Sequence, residues 1–199
     1  RFQFSAGGTI KTLTTMMSAP QAMVPSSGAE SLRPFRTVTL SFPQALSLAS
    51  LKKMLTIELQ RTTQPVRLLT HSMGGQIAYD TVTSFLPALE TQIKVDYWCA
   101  TASQVGYFEE LNMFLASSSQ YSKRTGRKTP VPTANLGKWW NVWDTNDVLS
   151  FTTRGIFADG IEDEEYRTGM SSAAAHGGYL ERPSFYRRFA DKLRAAFPR

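Results

Sequence analysis

A serine within a turn of small residues is the feature of this sequence with the clearest potential for chemistry. Ser72 follows the apolar run 66–69 and is followed by Gly74 and Gly75, where a helical pattern over 74–86 begins. A strand, a sharp turn and a helix in this order present a serine hydroxyl where the N–H groups that open the helix can stabilise an oxyanion. Glycines suit this turn because a side chain there would collide with the neighbouring strand. The pattern therefore indicates a nucleophilic serine.

The segment Thr70-His71-Ser72-Met73-Gly74-Gly75 resembles the nucleophile elbow of the α/β-hydrolase superfamily, in particular the Gly-His-Ser-Met-Gly-Gly form of lipases and esterases. It departs from that form at Thr70, which stands where the first glycine is usual. The resemblance covers about residues 36–199. It implies an α/β fold with a mostly parallel central sheet and helices on both faces. Relative to the eight strands usual in the family, the strand patterns predict a sheet truncated at its N-terminal edge. It also implies a serine hydrolase that cleaves a carboxylic ester through an acyl-enzyme and needs no cofactor or metal.

The base that this chemistry requires has few candidates. In the family, the serine is followed along the chain by an acid and then by a histidine. The chain contains only two histidines, His71 and His176. Adjacent side chains at an elbow diverge, so His71 is a poor base for Ser72, and we predict that His176 is the base. The alternative is that His176 is an ordinary histidine of a surface loop.

Two aspartates compete for the role of the acid. The aromatic and β-branched run 138–143 predicts a strand, and Asp144 and Asp147 both follow it. The turn around Asp147 resembles the end of strand seven in the family, where the second acid orients the histidine. We therefore predict that Asp147 holds the imidazole of His176 in one tautomer and stabilises its charged form. Asp144 is predicted to be a cap or turn residue, a role that aspartate fills well.

The remaining parts of the site are predicted from weaker signals. The N–H of Met73 is one expected oxyanion donor, and Gly7, in the turn after the strand-like run 2–6, is a candidate for the second; a simple glycine turn is the alternative. Three residues are candidates for contact with the substrate, namely His71, Met113 and Phe114. The alternative for Met113 and Phe114 is the buried face of a short helix.

Strand and helix patterns alternate along the chain, which predicts a single α/β domain over residues 1–199. Strands are predicted at 35–42, 66–69, 93–100, 138–143 and 163–167. Helices are predicted at 44–61, 74–86 and 183–197, and a helix or lid piece at 107–116. The irregular stretch that follows suggests a cap insertion over about 104–137.

Composition and charge restrict the partners. The net charge is +6, and much of the excess lies in segment 121–130 and around the C-terminal helix. No aromatic-interleaved motif or recognition helix accompanies it, so we predict no nucleic-acid partner and treat the charge as a solvated surface. Attraction of segment 121–130 to an anionic membrane surface is the alternative. No apolar stretch approaches membrane-spanning length, and the single cysteine, Cys99, slightly favours a cytoplasmic location.

The predicted substrate is a small-molecule or lipid ester, and the sequence leaves alternatives open. The same residues would support cleavage of an amide or a thioester, because the fold does not determine the substrate. Outside enzymes, the domain could be a former hydrolase that binds a partner. The oligomeric state has no signal in the sequence.

Overall fold

The computed structural model describes residues 66–89 and 93–198 in full, together with the backbone of four strands within residues 2–42. The strands of the described residues are β1 Phe2–Ala6, β2 Thr9–Ser18, β3 Phe35–Val38, β4 Ser41–Phe42, β5 Val66–His71, β6 Val95–Thr101, β7 Leu136–Trp143 and β8 Ile161–Glu165. The helix predicted at 44–61 lies outside the described residues.

The four strands β5 to β8 form an all-parallel sheet in chain order. Strands β5 to β7 are rich in Leu, Val and Trp and are almost continuously buried, as expected for parallel strands covered on both faces. The α/β class predicted from the sequence is confirmed at this level. Strand β8 begins two residues before the predicted start and lies at the end of the sheet order.

The N-terminal strands extend the sheet on the β5 side in the order β4-β1-β2-β5, and β3 also pairs with β2. Strand β2 is antiparallel to β5, β1 and β3, so the parallel part is confined to β5–β8 and the β1–β4 pair. The predicted truncation of the sheet at this edge falls on residues of which only strand backbones are described, and it stays a prediction.

The described helices connect the parallel strands or follow the last one. Helix α1 is Gly74–Asp80 and continues through a π-helical segment, Thr81–Phe85, into the short α2, Leu86–Ala88. Helix α3 is Val105–Glu110, shorter than the predicted 107–116. Helix α4 is Ser172–Gly178 and α5 is Pro183–Ala196, which starts at the proline used to predict it.

Two hydrophobic cores lie on opposite faces of the sheet, because successive side chains of a strand point to opposite sides. Leu68, Trp98 and Trp139 face the first core with α1, and the two indoles stack with centroids 4.5 Å apart. Leu69, Cys99 and Trp140 face the second core with α5, as do the following residues: Val142, Tyr179, Phe185 and Phe189. The predicted placement of helices on both faces is confirmed. Within the described ranges, no helix combines the length and apolarity needed to cross a bilayer.

Gly75 shows why the turn after β5 requires small residues. A Cβ built on Gly75 would overlap the Oγ of Ser103 and lie 3.1 Å from its Cβ. Ser103 is 1 % exposed and follows β6, so it has little room to move. Helix α1 therefore starts in direct contact with the neighbouring strand end.

Gly75→Ala is expected to lower the free energy of unfolding by about 1–3 kcal/mol, the usual cost of overpacking. Urea denaturation would measure this loss, and Ser103→Gly in the same chain should recover part of it through a double-mutant cycle. Gly177→Ala is the matched control, because a Cβ at Gly177 meets nothing within 4 Å. Equal stabilities of Gly75→Ala and Gly177→Ala would contradict the steric explanation.

Candidate active site

Ser72 occupies a strained turn directly after β5. Its φ of 56° lies in the left-handed region, which costs a non-glycine residue about 1–3 kcal/mol. Two backbone hydrogen bonds hold the turn: Ser72 N–H donates to Thr101 O, and Gly75 N–H donates to Ser72 O, both at 2.9 Å. Such strain at one serine is a common property of functional turns.

Thr70, the departure from the usual elbow sequence, lies within β5 and not in the turn. It is completely buried, and its Oγ1 accepts a hydrogen bond from Trp98 Nε1 at 2.9 Å. A β-branched residue suits a strand, so the threonine is accommodated at this position with its hydroxyl satisfied.

His176 lies between Ser72 and Asp147. Its Nε2 is 2.9 Å from Ser72 Oγ, and its Nδ1 is 3.0 Å from both carboxylate oxygens of Asp147. A carboxylate only accepts, so the network assigns the proton to Nδ1 and leaves Nε2 to accept the hydroxyl of Ser72. A neutral histidine in this tautomer can take the proton of the serine when its oxygen attacks.

Asp147 is held from several sides in the turn after β7. Its side chain is completely buried. Leu149 N–H donates to Oδ1 at 3.0 Å, and the Tyr179 hydroxyl donates to Oδ2 at 3.2 Å. With His176 these donors fix the orientation of the carboxylate, which in turn fixes the imidazole.

Asp144 is buried nearby and contacts a different set of groups. Its Oδ2 accepts from the N–H and the hydroxyl of Thr168, both at 2.7 Å, and its Oδ1 accepts from Asn146 N–H at 2.9 Å. Burial opposes the charged form, but these hydrogen bonds and nearby Arg167 hold the pKa of Asp144 below its ordinary value. Asp144 therefore ties the end of β7 to the segment that leads into α4.

Asp144→Asn is expected to lower the free energy of unfolding at neutral pH by about 1–3 kcal/mol, because it leaves buried N–H donors facing an amide. A carboxylate whose folded pKa is depressed contributes stability above its ordinary pKa of about 3.9. It loses that contribution as the pH falls through the lower folded pKa. The stability difference between wild type and variant, measured by urea denaturation at several pH values, should therefore shrink at acid pH. A difference that is constant down to pH 2 would contradict a charged role.

His71, a candidate for substrate contact, is 6 % exposed. Its Nε2 lies 2.5 Å from the backbone oxygen of His176. Burial, partly offset by that hydrogen bond, lowers the pKa of His71 to about 4. The structure gives His71 a contact with His176, while its contact with a substrate stays a prediction.

Met113 and Phe114, the other two candidates, have opposite environments. Phe114 is 6 % exposed and packs in the first core, with its ring 4.5 Å from that of Tyr79. Met113 is 59 % exposed in the turn after α3. The burial of Phe114 favours the alternative of a core residue, and a substrate contact of either side chain stays a prediction.

Of the two candidate oxyanion donors, Met73 lies among the described residues and Gly7 does not. Met73 follows Ser72 directly and precedes the first residue of α1, the position at which a backbone donor is expected. Gly7 lies outside the described residues, so the second donor stays a prediction. Among the described residues, no group of three or more His, Cys, Asp or Glu side chains is placed to hold a metal ion.

The predicted cap region 104–137 contains α3 and a series of turns. The basic part of this region, 123–128, is exposed. An antiparallel bridge between Ser122 and Arg127, in which Ser122 N–H donates to Arg127 O at 3.1 Å, closes it into a turn. Lys123 N–H donates to Glu110 Oε1 at 3.3 Å, which places the turn beside the end of α3. A capping role of 104–137 and attraction of its cations to anionic lipid stay predictions.

Two residues that support this site were not predicted from the sequence. Tyr179, which donates to Asp147, lies three positions after His176, a spacing that puts two side chains on one face of a helix. Gln104 donates through Nε2 to the backbone oxygen of Leu149, and its Oε1 accepts from Gln76 Nε2. The spacing of Tyr179 from His176 was a signal in the sequence. The contacts of Gln104 had none, because they depend on how α1, α3 and the turn after β7 come together.

Comparison of the chain with protein-family models, with curated proteins and with solved structures gives no match. The geometry of the site is therefore the basis for any functional assignment.

Proposed function

We propose that this protein is a serine hydrolase of the α/β-hydrolase type that cleaves a carboxylic ester of a small molecule or lipid. The observation that carries the proposal is the continuous hydrogen-bonded chain from Asp147 through His176 to Ser72. A serine, a histidine and a buried acid in this order are the groups that nucleophilic acyl transfer requires. The left-handed turn at Ser72 and the parallel sheet beneath it support the same assignment.

In the proposed reaction, Ser72 Oγ attacks the ester carbonyl while His176 Nε2 accepts its proton. Asp147 stabilises the imidazolium that forms, and the N–H of Met73 helps to stabilise the negative oxygen of the tetrahedral intermediate. His176 then protonates the departing alcohol, which leaves an acyl group on Ser72. Water, deprotonated by His176, attacks the acyl group. The bond between the acyl carbon and Ser72 Oγ then breaks, His176 returns the proton to Ser72 Oγ, and the carboxylic acid is released.

Labelling by a fluorophosphonate probe tests the proposal most directly, because the probe reacts with serines that a neighbouring base activates. The wild-type protein should be labelled, with the phosphonylated residue identified as Ser72 by peptide mass spectrometry. Ser122→Ala is a matched control, since Ser122 lies in the turn over 122–127, where its hydroxyl contacts Thr125. An unlabelled, folded wild-type protein would favour the alternative of a non-catalytic binding domain.

A substrate panel separates ester hydrolysis from the other reactions that the same residues support. Chromogenic acyl esters of increasing chain length should be hydrolysed faster than matched thioesters, anilides and peptides. Preference for an amide or a thioester would keep the serine mechanism and change the substrate class to an amidase, peptidase or thioesterase.

A further inference from the structure

The two histidines of this chain, 105 residues apart in sequence, contact each other. His71 is the last residue of β5, and its Nε2 is 2.5 Å from the backbone oxygen of His176. A carbonyl oxygen can only accept, so the network assigns the donated proton to Nε2 of His71. The two imidazole centroids are 4.9 Å apart, with an angle of 52° between the rings.

The backbone oxygen of His176 lies near the end of a short helix. Helix α4 is only seven residues long, and Ala175 and Gly178 are its buried members. His176 lies in the last turn of α4, where backbone carbonyls lack a partner within the helix. A donor from β5, the strand that precedes Ser72, therefore connects the backbone of His176 directly to the turn that carries Ser72.

We propose that His71 is a positioning residue, whose Nε2–H holds the backbone of His176 so that the imidazole of His176 faces Ser72 and Asp147. This inference rests on the proposed function, because it assigns a role within the same site. His71 suits the role because it is buried and neutral, with a pKa lowered to about 4 first of all by burial, so it remains a fixed donor across the neutral pH range. It does not react with the substrate; it acts through His176.

Three substitutions of His71 separate positioning from simple packing. His71→Gln keeps an N–H group at about the distance of Nε2, His71→Asn keeps polarity but is too short to reach, and His71→Leu keeps bulk without a donor. The matched control is Cys99→Ala, which removes one buried atom from the second core, where Cys99 pairs with Leu69 of β5. Cys99 contacts the second core and is not one of the candidate active-site residues.

Two measurements are made on each full-length variant. The first is the rate of fluorophosphonate labelling, with kcat and KM on a chromogenic acetyl ester. The second is the ¹H NMR resonance of the His176 Nδ1–H that points at Asp147, which appears far downfield when the pair is aligned and shielded from exchange. Thermal unfolding checks that each variant is folded.

The proposal predicts that His71→Leu and His71→Asn reduce labelling and kcat by roughly 10²-fold, the size of a 1 Å misplacement, with little change in KM. His71→Gln should recover most of the rate and keep the downfield resonance, which Leu and Asn should lose. Cys99→Ala should keep both. The proposal is overturned if folded His71→Leu or His71→Asn matches the wild type, or if His71→Gln is as slow as they are.

Failure of the proposed function gives a different result. A wild-type protein that is neither labelled nor active removes the hydrolase assignment, while the downfield resonance still reports whether His71 aligns His176 with Asp147. Loss of that resonance in His71→Leu and His71→Asn, with its retention in His71→Gln, would support positioning even then. Retention of the downfield resonance in all the variants would overturn the positioning role of His71.

Discussion

Ser72→Ala is expected to reduce ester hydrolysis by about 10⁶-fold, and His176→Ala by a similar factor. Ser72 Oγ is the proposed nucleophile, and His176 Nε2, 2.9 Å away, is the group that makes it reactive by taking its proton. Each substitution removes a step that the other cannot replace. The double variant should therefore be little worse than either single variant, because residues that act as a unit lose their contributions together. Initial rates on a chromogenic ester, from freshly purified protein, would measure all three losses.

Ser122→Ala serves as the control for a lost hydroxyl and should retain the wild-type rate. Thermal unfolding should show that Ser72→Ala is folded, since the substitution removes only the hydroxyl that donates to His176 Nε2. Losses of Ser72→Ala and His176→Ala that multiply in the double variant would contradict a single catalytic unit. A Ser72→Ala variant with the full rate would remove Ser72 from the reaction.

The candidate site was predictable where rare residue types had to come together. The chain has only two histidines and one serine in a glycine-rich turn after a strand, so few serine–histidine pairs were possible and Ser72 with His176 was the one indicated. The turn after an aromatic strand indicated Asp147 as the acid. The contact between His71 and His176 was not predictable in this way. It joins the end of β5 to α4 across 105 residues, and no local spacing encodes it.

Strand β8 shows why the limits of an element are harder to predict than its presence. Its sequence, Ile-Glu-Asp-Glu-Glu, has low strand propensity and an acidic rather than an apolar pattern. The strand is stabilised by tertiary contacts: Asp163 accepts hydrogen bonds from Asn141 Nδ2 and Trp143 Nε1 of β7, and Glu164 pairs with Arg188 of α5. Pairing of this kind overrides local preference, so the predicted strand began two residues late.

The two aspartates after β7 illustrate a distinction that the sequence could only suggest. Both are buried and both follow the same strand, yet Asp147 faces His176 while Asp144 faces the backbone and hydroxyl of Thr168. Burial and charge alone therefore do not identify the acid. The group that each carboxylate contacts does, and a pair of matched substitutions can measure the difference.

Asp147→Asn is expected to reduce kcat by about 10⁴-fold, because an amide at this position favours the wrong tautomer of His176 and cannot stabilise the imidazolium. Asp144→Asn is the matched control: it makes the same chemical change in the same turn, and it should cost stability while leaving kcat within about tenfold of the wild type. Both variants should be assayed below their unfolding temperatures, with kcat measured on the chromogenic ester and the folded fraction determined by circular dichroism. Asp147→Asn should also lose the downfield Nδ1–H resonance of His176, which Asp144→Asn should keep. Equal losses of kcat in two folded variants would contradict the assignment of Asp147 as the acid, and a larger loss in Asp144→Asn would reverse it.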